Sequence, residues 1–311
     1  MGSQVLDLVG KTPVIELPSL APRPGIRLFA KLEGQNPSGS VKDRIVAYIL
    51  TRASQEGRLR PGQEIVEATT GNTGIALAML GRQLGHPVRV VVPDNAFGDV
   101  IRTLKALDAG VETVPTKLGI KSAIDVAEEI ARRDGAFLLD QFRSLDNPRC
   151  HYETTAPEIL SAVPDLDAFV CGLGTSGTAM GVGRRLKEHN PEVKIIVAEP
   201  HPGDNLQGMR SLAEGYLPPI LDLKGLDGKV LVSSANAFRA LRELLRREGI
   251  LAGLSSGAVL YAALKWAQRV ERGKIVMLFA DSGWKYLNSP AYDLDHSLDD
   301  DPDGLDEVLW W

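Results

Sequence analysis

The sequence of 311 residues has only two cysteines, Cys150 and Cys171, and they form no CxxC pair. This excludes a disulfide framework, and we expect both thiols to remain reduced in a cytoplasmic protein. The five histidines fall in no metal-ligand spacing, so we predict no metal. No apolar run reaches transmembrane length, and residues 1–4 do not begin a signal peptide. A net charge of −5 gives no reason to expect nucleic acid or a membrane as partner.

What is present is an ordinary globular composition, with 44% hydrophobic and 24% charged residues. The length suggests about two domains. Strand-like and helix-like segments alternate, which favours parallel sheets covered by helices on both faces and ligands at the carboxyl ends of the strands. The predicted strands are 27–33, 64–68, 88–93, 111–114, 136–140, 168–171, 194–198, 230–232 and 274–280. The predicted helices are 42–57, 73–85, 97–109, 121–133, 147–162, 177–189, 236–248 and 257–270.

A turn followed by a helix start is predicted at residues 36–44, NPSGSVKDR. Ser40 is a candidate N-cap for the apolar-periodic run behind it, which puts Lys42 in the first helical turn. A cation is unfavourable there because a helix N-terminus carries partial positive charge. A solvated surface lysine is the ordinary alternative. The same position lowers the cost of losing the proton, which suits a lysine that attacks a carbonyl.

The longer segment KLEGQNPSGSVKDR resembles the KxExxNPTGSxKDR segment of the cysteine synthase family, fold-type-II enzymes that depend on pyridoxal 5'-phosphate (PLP). The resemblance implies that Lys42 holds PLP as a Schiff base and is the catalytic base. It implies a tryptophan-synthase-β-like α/β fold of two three-layer α/β/α domains with mostly parallel sheets and the cofactor in the interdomain cleft. We expect residues 1–40 and 148–292 to form a larger cofactor-binding domain, 41–147 a smaller mobile substrate-binding domain, and 293–311 an acidic tail.

Residues 67–74, EATTGNTG, follow a predicted strand and open a helix. Hydroxyls, glycines and N–H groups at a helix N-terminus make an anion site, although a capped strand-to-helix turn explains the spacing equally well. The loop resembles the family's TSGNTG segment, with threonine where the serine is usual. This implies that the loop binds the substrate α-carboxylate together with Gln141, and that its asparagine also contacts the 3-oxygen of the cofactor ring. The substrate-binding residues implied in the loop are Thr69, Thr70, Gly71, Asn72 and Thr73.

Residues 172–177, GLGTSG, satisfy the GxGxxG pattern of dinucleotide sites, and Glu199 ends the next predicted strand. Read alone, this pattern favours NAD. The loop is mid-chain, however, and its hydroxyls suit a terminal monophosphate better than a pyrophosphate. It resembles the family's GTGGT phosphate cup, with serine in place of a glycine, which makes the backbone less free. The cofactor-binding residues implied here are Gly174, Thr175, Ser176, Gly177 and Thr178.

Residues 253–258, GLSSGA, resemble the family's GISSGA segment. The resemblance implies that Ser255 hydrogen-bonds the pyridine nitrogen of PLP. A serine cannot hold that nitrogen protonated, so the ring is a weaker electron sink, which suits β-elimination. Ser256 can serve as the N-cap of the next helix. Residues 280–287, ADSGWKYL, resemble the family's C-terminal signature, with Asp281 where many members have serine, and we expect them to support the cofactor pocket.

The long loop 199–219 bears on the leaving group. Family members that use O-acetylserine have a GIGAG-type stretch here, whereas this chain has QGMRSLAEGY, with an added Arg210. A surface arginine paired with Glu214 explains it as well as a guanidinium that binds a dianionic leaving group. With ADSGWKYL, the loop resembles the actinobacterial M-type cysteine synthases. This implies β-replacement on O-phosphoserine through an α-aminoacrylate, with sulfur from a thiocarboxylated carrier protein or sulfide, and makes Arg210 substrate-binding.

Other functions stay open from the sequence. They are an O-acetylserine sulfhydrylase using sulfide or thiosulfate, a cystathionine β-synthase-type enzyme or serine/threonine dehydratase, and a non-catalytic binding module. Lys42, Asn72 and Ser255 argue against the last of these. The family implies a homodimer.

The chain ends in a strongly acidic stretch followed by two tryptophans. Residues 293–307 contain eight acidic side chains, and the sequence closes with Val-Leu-Trp-Trp. A charge run is usually solvated, but tryptophans are costly to leave in water, so we expect this end to dock. A lid over the cleft is one form that docking could take.

Overall fold

The computed structural model describes residues 5–94, 96, 98–115, 119–204, 206–293 and 308–310. In these ranges strands and helices alternate. The strands are β1 (Val14–Glu16), β2 (Ile26–Leu32), β3 (Ile65–Ala68), β4 (Val88–Pro93), β5 (Gly110–Val114), β6 (Phe137–Leu138), β7 (Ala168–Gly172), β8 (Lys194–Pro200), β9 (Gly228–Val232), β10 (Gly273–Phe279) and β11 (Val308–Trp310). The helices are α1 (Lys42–Gln55), α2 (Asn72–Gln83), α3 (Gly98–Ala106), α4 (Gly119–Asp134), α5 (Asp146–Cys150), α6 (Ala156–Ala162), α7 (Gly177–His189), α8 (Ser234–Glu248) and α9 (Leu254–Ala267).

The larger sheet has the strand order β1-β2-β10-β7-β8-β9-β11. Its five central strands run parallel, and β1 and β11 pair antiparallel at the two edges. Alternate residues of β7 face different layers: Phe169 packs with residues of α6 and α7, whereas Val170 packs with residues of α8 and α9. Burial on both faces explains why these strands are continuous apolar runs in the sequence.

The smaller sheet has the order β5-β4-β3-β6, and all its strands are parallel. Ile65 of β3 packs with residues of α1 and α2, and Val66 packs with residues of α4 on the other face. The structure thus contains two α/β/α units, each a sheet with helices on both faces, as the sequence predicted. The domain boundaries at residues 40, 147 and 292 stay a prediction.

The element predictions are confirmed to within a few residues, with two corrections at helix starts that bear on the site. Helix α1 begins at Lys42 as expected, but Val41 occupies the N-cap position instead of Ser40, whose Oγ accepts from the Lys42 N–H at 3.3 Å. Helix α9 begins before residue 257, with Gly253 at its N-cap. Ser256 therefore lies inside the first turn and is not the cap.

The other differences have local causes. The strand predicted at 136–140 is reduced to β6, because Asp140 has a φ of 58° and leaves the extended conformation. The helix predicted at 147–162 contains a π-helical segment, His151–Thr155, between α5 and α6. The helix predicted at 97–109 is described from residue 98 to 106, and Phe97 lies outside the described residues. The short edge strands β1 and β11 were not predicted.

The C-terminal strand β11 pairs with β9, with Val308 opposite Val230 and Trp310 opposite Gly228. The end of the chain therefore docks, as expected. Since β11 is antiparallel to β9, it leads towards the amino ends of the parallel strands and away from their carboxyl ends. This course is known for residues 308–310 alone, so a lid formed by the tail stays a prediction. The acidic residues 294–307 and Trp311 lie outside them.

Candidate active site

A cleft lies at the carboxyl ends of both sheets. It brings together most residues that the sequence singled out: Lys42, Thr69, Thr70, Asn72, Thr73, Gln141, Gly174, Thr175, Arg210 and Ser255. An adjoining space adds Ser176 and Thr178. Gly71 and Gly177 line neither space and lie at the starts of α2 and α7. Sequence reasoning did not single out the remaining lining residues of the cleft, which are Val41, Ile120, Phe142, Gln207, Gly208, Met209 and Ala280.

Lys42 is the first residue of α1, and its half-buried side chain reaches the cleft. Burial lowers the pKa of its ammonium below the usual value, while the Asp281 carboxylate acts in the opposite direction. The turn before it is held by Asp43, which accepts hydrogen bonds from the N–H (2.7 Å) and the hydroxyl of Ser38. A rigidly placed lysine that loses its proton easily is suited to react with a carbonyl.

The loop that leads into α7 has tight backbone geometry. Ser176 adopts φ 72°, a left-handed conformation that glycine adopts without strain. A Cβ atom at Gly174 would lie 2.8 Å from the Gly208 carbonyl oxygen, and one at Gly177 would lie 1.8 Å from Asn147 Oδ1. Both glycines are therefore required by close approach, whereas the serine occupies a position that favours glycine.

The donors of this loop fit a monophosphate. The Ser176 Oγ is buried and has no hydrogen-bond partner among the described residues. A buried polar group left in this state costs about 1–3 kcal/mol, which a phosphate oxygen that accepts a hydrogen bond from the hydroxyl would offset. The hydroxyls of Thr175 and Thr178 line the same space, in front of the N-terminus of the 13-residue helix α7. The residues present thus fit the phosphate of PLP.

Two residues behind this loop were missed by sequence reasoning. The Asn147 side-chain N–H donates to Thr175 Oγ1 at 3.1 Å and to the Gln141 carbonyl at 2.8 Å. The His151 Nε2 lies 3.3 Å from Thr178 Oγ1, and burial lowers the pKa of this imidazole well below its usual value. Both come from α5 and the π-helical segment. The sequence shows only that Asn147 and His151 are polar residues in a predicted helix, and their burial becomes apparent only in the fold.

The substrate loop between β3 and α2 is ordered by its own hydroxyls. Thr69 Oγ1 accepts from the Gly71 N–H at 3.1 Å, and Thr73 Oγ1 donates to Gln141 Oε1 at 2.7 Å. The Gln141 Nε2 donates to the Ala68 carbonyl at 2.9 Å. These contacts present the amide of Gln141 and the N–H groups at the start of α2 to the same part of the cleft, where a carboxylate can bind.

Glu67 lies directly behind the substrate loop and is 1% exposed. Its Oε2 accepts the Asp140 N–H at 2.7 Å, which holds the left-handed corner that turns Gln141 into the cleft. Burial raises the pKa of the Glu67 carboxyl to about 8. Because the carboxyl is neutral over most of the ordinary pH range, it can remain buried without a cationic partner.

Asn72 is held by residues of the C-terminal signature. Its Nδ2 donates to Asp281 Oδ2 at 2.6 Å, and its Oδ1 accepts from Lys285 Nζ at 2.7 Å. The Tyr286 hydroxyl donates to the same Asp281 oxygen. Burial raises the pKa of the Asp281 carboxyl, against the effect of Lys285, and lowers the pKa of the Lys285 ammonium, against the effects of Asp281 and Asp43. The signature supports the pocket, as expected, through charged contacts that the sequence did not predict.

Ser255 and Arg210 complete the cleft. Ser255 is buried in the first turn of α9 and lines both spaces. The Arg210 guanidinium lies over the Phe142 ring, 5.6 Å from its centroid, and the Tyr216 ring meets Phe142 edge-on. Arg210 is anchored by its backbone N–H, which donates to the Leu173 carbonyl at 2.8 Å. The structure does not describe the side chain of Glu214, so the pairing of Arg210 with Glu214 stays a prediction.

In the described part of the chain, no group of three His, Cys, Asp or Glu residues is arranged to hold a metal ion. Cys150 and Cys171 are free and buried. Among the described residues, no helix combines the length and the apolar character needed to cross a membrane.

Comparison with known proteins identifies the family. A family described as pyridoxal-phosphate dependent enzymes matches residues 5–281. This chain belongs to that family. Cysteine synthase B of Pseudomonas aeruginosa is 39% identical over 290 residues, which are 93% of this chain and 97% of that protein. Cysteine synthase B of Escherichia coli is 36% identical over 295 residues, which are 94% and 97% of the two chains.

Solved structures of other proteins agree with this membership. O-ureido-L-serine synthase has a TM-score of 0.90 and 34% identity, and the match covers 97% of this chain and 98% of that one. A cysteine synthase (OASS) from Entamoeba histolytica has a TM-score of 0.87 and 32% identity, over 96% and 92% of the chains. The chain is therefore a PLP-dependent enzyme of the cysteine synthase family with the fold-type-II architecture predicted from its sequence.

Proposed function

We propose that this PLP-dependent enzyme is a cysteine synthase that replaces the phosphate of O-phosphoserine with sulfur, in cysteine biosynthesis. The substrate carboxylate would bind at the N-terminus of α2, at the loop Thr69–Thr73 and the Gln141 amide. The substrate β-carbon and its leaving group would then extend towards the part of the cleft that Arg210 lines. This arrangement separates the binding of the carboxylate from recognition of the leaving group.

PLP would be held by Lys42, Asn72, Ser255 and the phosphate loop Gly174–Thr178. When bound, it supplies a conjugated ring that delocalises negative charge from the substrate α-carbon. The Lys42 Nζ, whose pKa burial lowers, would take the proton from that carbon as general base. Ser255, rather than a carboxylate, at the ring nitrogen would keep the ring suited to β-elimination and replacement.

The position of Arg210 carries the preference for phosphate. A planar guanidinium binds the oxygens of a phosphate dianion through paired charge-assisted hydrogen bonds, and an acetyl ester offers no such charge. The Phe142 ring under the guanidinium limits the directions in which Arg210 can point, and Phe142 directly follows the carboxylate residue Gln141. The arginine would thus lie beside the substrate, against the same segment that would bind the carboxylate.

The remaining parts of the proposal follow from the resemblance to the M-type cysteine synthases. The sulfur would come from a small carrier protein with a C-terminal thiocarboxylate, or from sulfide. We also propose a homodimer in the cytoplasm, and a smaller domain, residues 41–147, that moves relative to the larger one when substrate binds.

The second candidate is an O-acetylserine sulfhydrylase that uses free sulfide. The Entamoeba histolytica structure described as a cysteine synthase (OASS) supports it, as do the relatives described only as cysteine synthases. The two functions share every residue that binds PLP and the substrate carboxylate. They differ in whether the side chain of Arg210 binds the leaving group of the substrate.

The test compares Arg210→Ala with the wild type on both substrates. We expect kcat/KM with O-phosphoserine to fall by about 10- to 100-fold, the value of a hydrogen bond to a charged group, and with O-acetylserine by less than about twofold. Arg184→Ala is a matched control, because Arg184 is an exposed arginine, 76% accessible, that pairs with Glu188 on α7. Equal losses on both substrates would favour the sulfhydrylase. A purified protein that does not turn yellow with PLP would instead indicate a non-catalytic binding module.

A further inference from the structure

The amide of Asn72 lies between a carboxylate and an ammonium. Asp281 Oδ2 is 2.6 Å from Asn72 Nδ2, and Lys285 Nζ is 2.7 Å from Asn72 Oδ1. The amide NH₂ group thus donates to the negatively charged group, and the amide oxygen accepts from the positively charged group, so both hydrogen bonds are charge-assisted. Asp281 is 4% exposed and Lys285 is half-buried, so solvent screens these contacts less than it would at the surface.

These contacts fix which way the amide faces. In the flipped orientation, the Asn72 NH₂ group would face the Lys285 ammonium, two donors in opposition, and its oxygen would face the Asp281 carboxylate, two acceptors in opposition. Both charge-assisted bonds would be lost at once. In the observed orientation, the Nδ2 group donates to Asp281 and lies beside the Tyr286 hydroxyl, and Asn72 lines the cleft.

The two charged residues also connect the loops around the cleft. Lys285 Nζ makes a second, longer contact of 3.4 Å with the carbonyl of Gly39, in the turn that precedes Lys42. The Asp281 carbonyl accepts the Gly253 N–H at 2.8 Å, two residues before Ser255. The turn before Lys42, the asparagine loop and the start of α9 are therefore fixed relative to one another by this short segment.

Gly253 accommodates the aspartate. A Cβ atom at position 253 would lie 1.7 Å from Asp281 Oδ1, so the carboxylate lies directly against a glycine backbone. Many members of the family have serine at position 281. A serine hydroxyl carries no charge, and its oxygen lies closer to the backbone than the two oxygens of a carboxylate. The aspartate thus adds to this chain a carboxyl acceptor for the asparagine.

We propose that Asp281 and Lys285 are positioning residues that hold the Asn72 amide in one orientation, the one in which its NH₂ group can donate to the ring 3-oxygen of the cofactor. The inference rests on the role that the proposed function gives to Asn72. Neither residue touches the reacting atoms in this arrangement. Lys285 acts on the cofactor through Asn72, and this predicts that its effect disappears when Asn72 is removed. Asp281 also acts on the charge of Lys42, so its effect should become much smaller without Asn72 but should not vanish.

The test measures the dissociation constant of PLP from reconstituted protein, together with the visible spectrum of the bound cofactor. Lys285→Met and Asp281→Ala are each expected to weaken PLP binding by about 10- to 100-fold, the range for a hydrogen bond to a charged group, and to shift the spectrum. Lys274→Met is the matched control and should leave both unchanged, because Lys274 pairs with Asp165 outside the cleft. Thermal melting of each variant reports whether it folds.

A double-mutant cycle gives the decisive readout. If Lys285 acts through Asn72, Lys285→Met weakens PLP binding in the wild type but adds less than about twofold in an Asn72→Ala background. Additive effects of the two substitutions would overturn the inference. So would wild-type PLP binding and spectrum in both Lys285→Met and Asp281→Ala. If Asn72→Ala alone leaves PLP binding unchanged, the role of Asn72 in the proposed function fails instead.

Asp281→Ser keeps the cycle informative should Asp281→Ala fail to fold. The serine restores the residue common in the family and removes the charge while leaving a hydroxyl. We expect it to weaken PLP binding in the wild type and to have a much smaller effect in the Asn72→Ala background. An equal effect in both backgrounds would show that residue 281 acts independently of Asn72 and would overturn the inference.

Discussion

Replacing Ser176 with glycine should have opposite effects on folding and on cofactor binding. The left-handed conformation costs a side-chain-bearing residue about 1–2 kcal/mol, and its buried, unpartnered hydroxyl costs about 1–3 kcal/mol. Glycine removes both costs but loses about 0.5–1 kcal/mol through the greater freedom of the unfolded chain. The net gain for the protein without PLP is about 1–4.5 kcal/mol. For 311 residues this raises the Tm by about 2–7 °C.

The same substitution removes a donor from the phosphate loop. We therefore expect Ser176→Gly to bind PLP about 10- to 100-fold more weakly, so that saturating PLP raises its Tm by less than it raises that of the wild type. Thermal unfolding with and without PLP measures both effects. Asp108→Gly is the matched control, since Asp108 also has positive φ, 59°, but lies in an exposed turn away from the cleft. A lower Tm for Ser176→Gly without PLP, or unchanged PLP affinity, would refute the reasoning.

Three further outcomes are expected. Burial raises the pKa of Glu67 to about 8, so the wild type should lose stability as the pH rises from about 4.5 to 8. In urea unfolding, Glu67→Gln should show a smaller loss over this range and be more stable than the wild type at about pH 9. Gly177→Ala should cost at least about 1–3 kcal/mol of stability through its clash with Asn147, whereas Gly98→Ala, which has open space, should be nearly neutral. Removing residues 308–311 should lower the Tm but leave kcat unchanged, because β11 leads away from the cleft.

The fold was predictable because its signals are local. A parallel strand buried on both faces is a largely apolar run of four to eight residues, and the runs of β2, β3, β4 and β7 are each followed by a turn and a helix. For the same reason the sequence predicted where Lys42 would lie, since a turn and a helix start are short-range features. It predicted the N-caps of α1 and α9 wrongly, because Val41 and Gly253 are fixed by backbone contacts with residues 280 and 281, far along the chain.

The positions that depart from the family pattern were the least interpretable in the sequence, and they carry the most specific information in the structure. Ser176 adopts a backbone conformation that glycine would adopt freely, and its orphaned hydroxyl is the observation that fits a phosphate. Arg210 lies on an aromatic ring that the sequence analysis did not consider. Asp281 meets Asn72 across 209 residues of sequence, a distance at which no local pattern constrains partners. A motif thus identifies which residues belong to a site, but their orientation follows only from contacts made after the chain has folded.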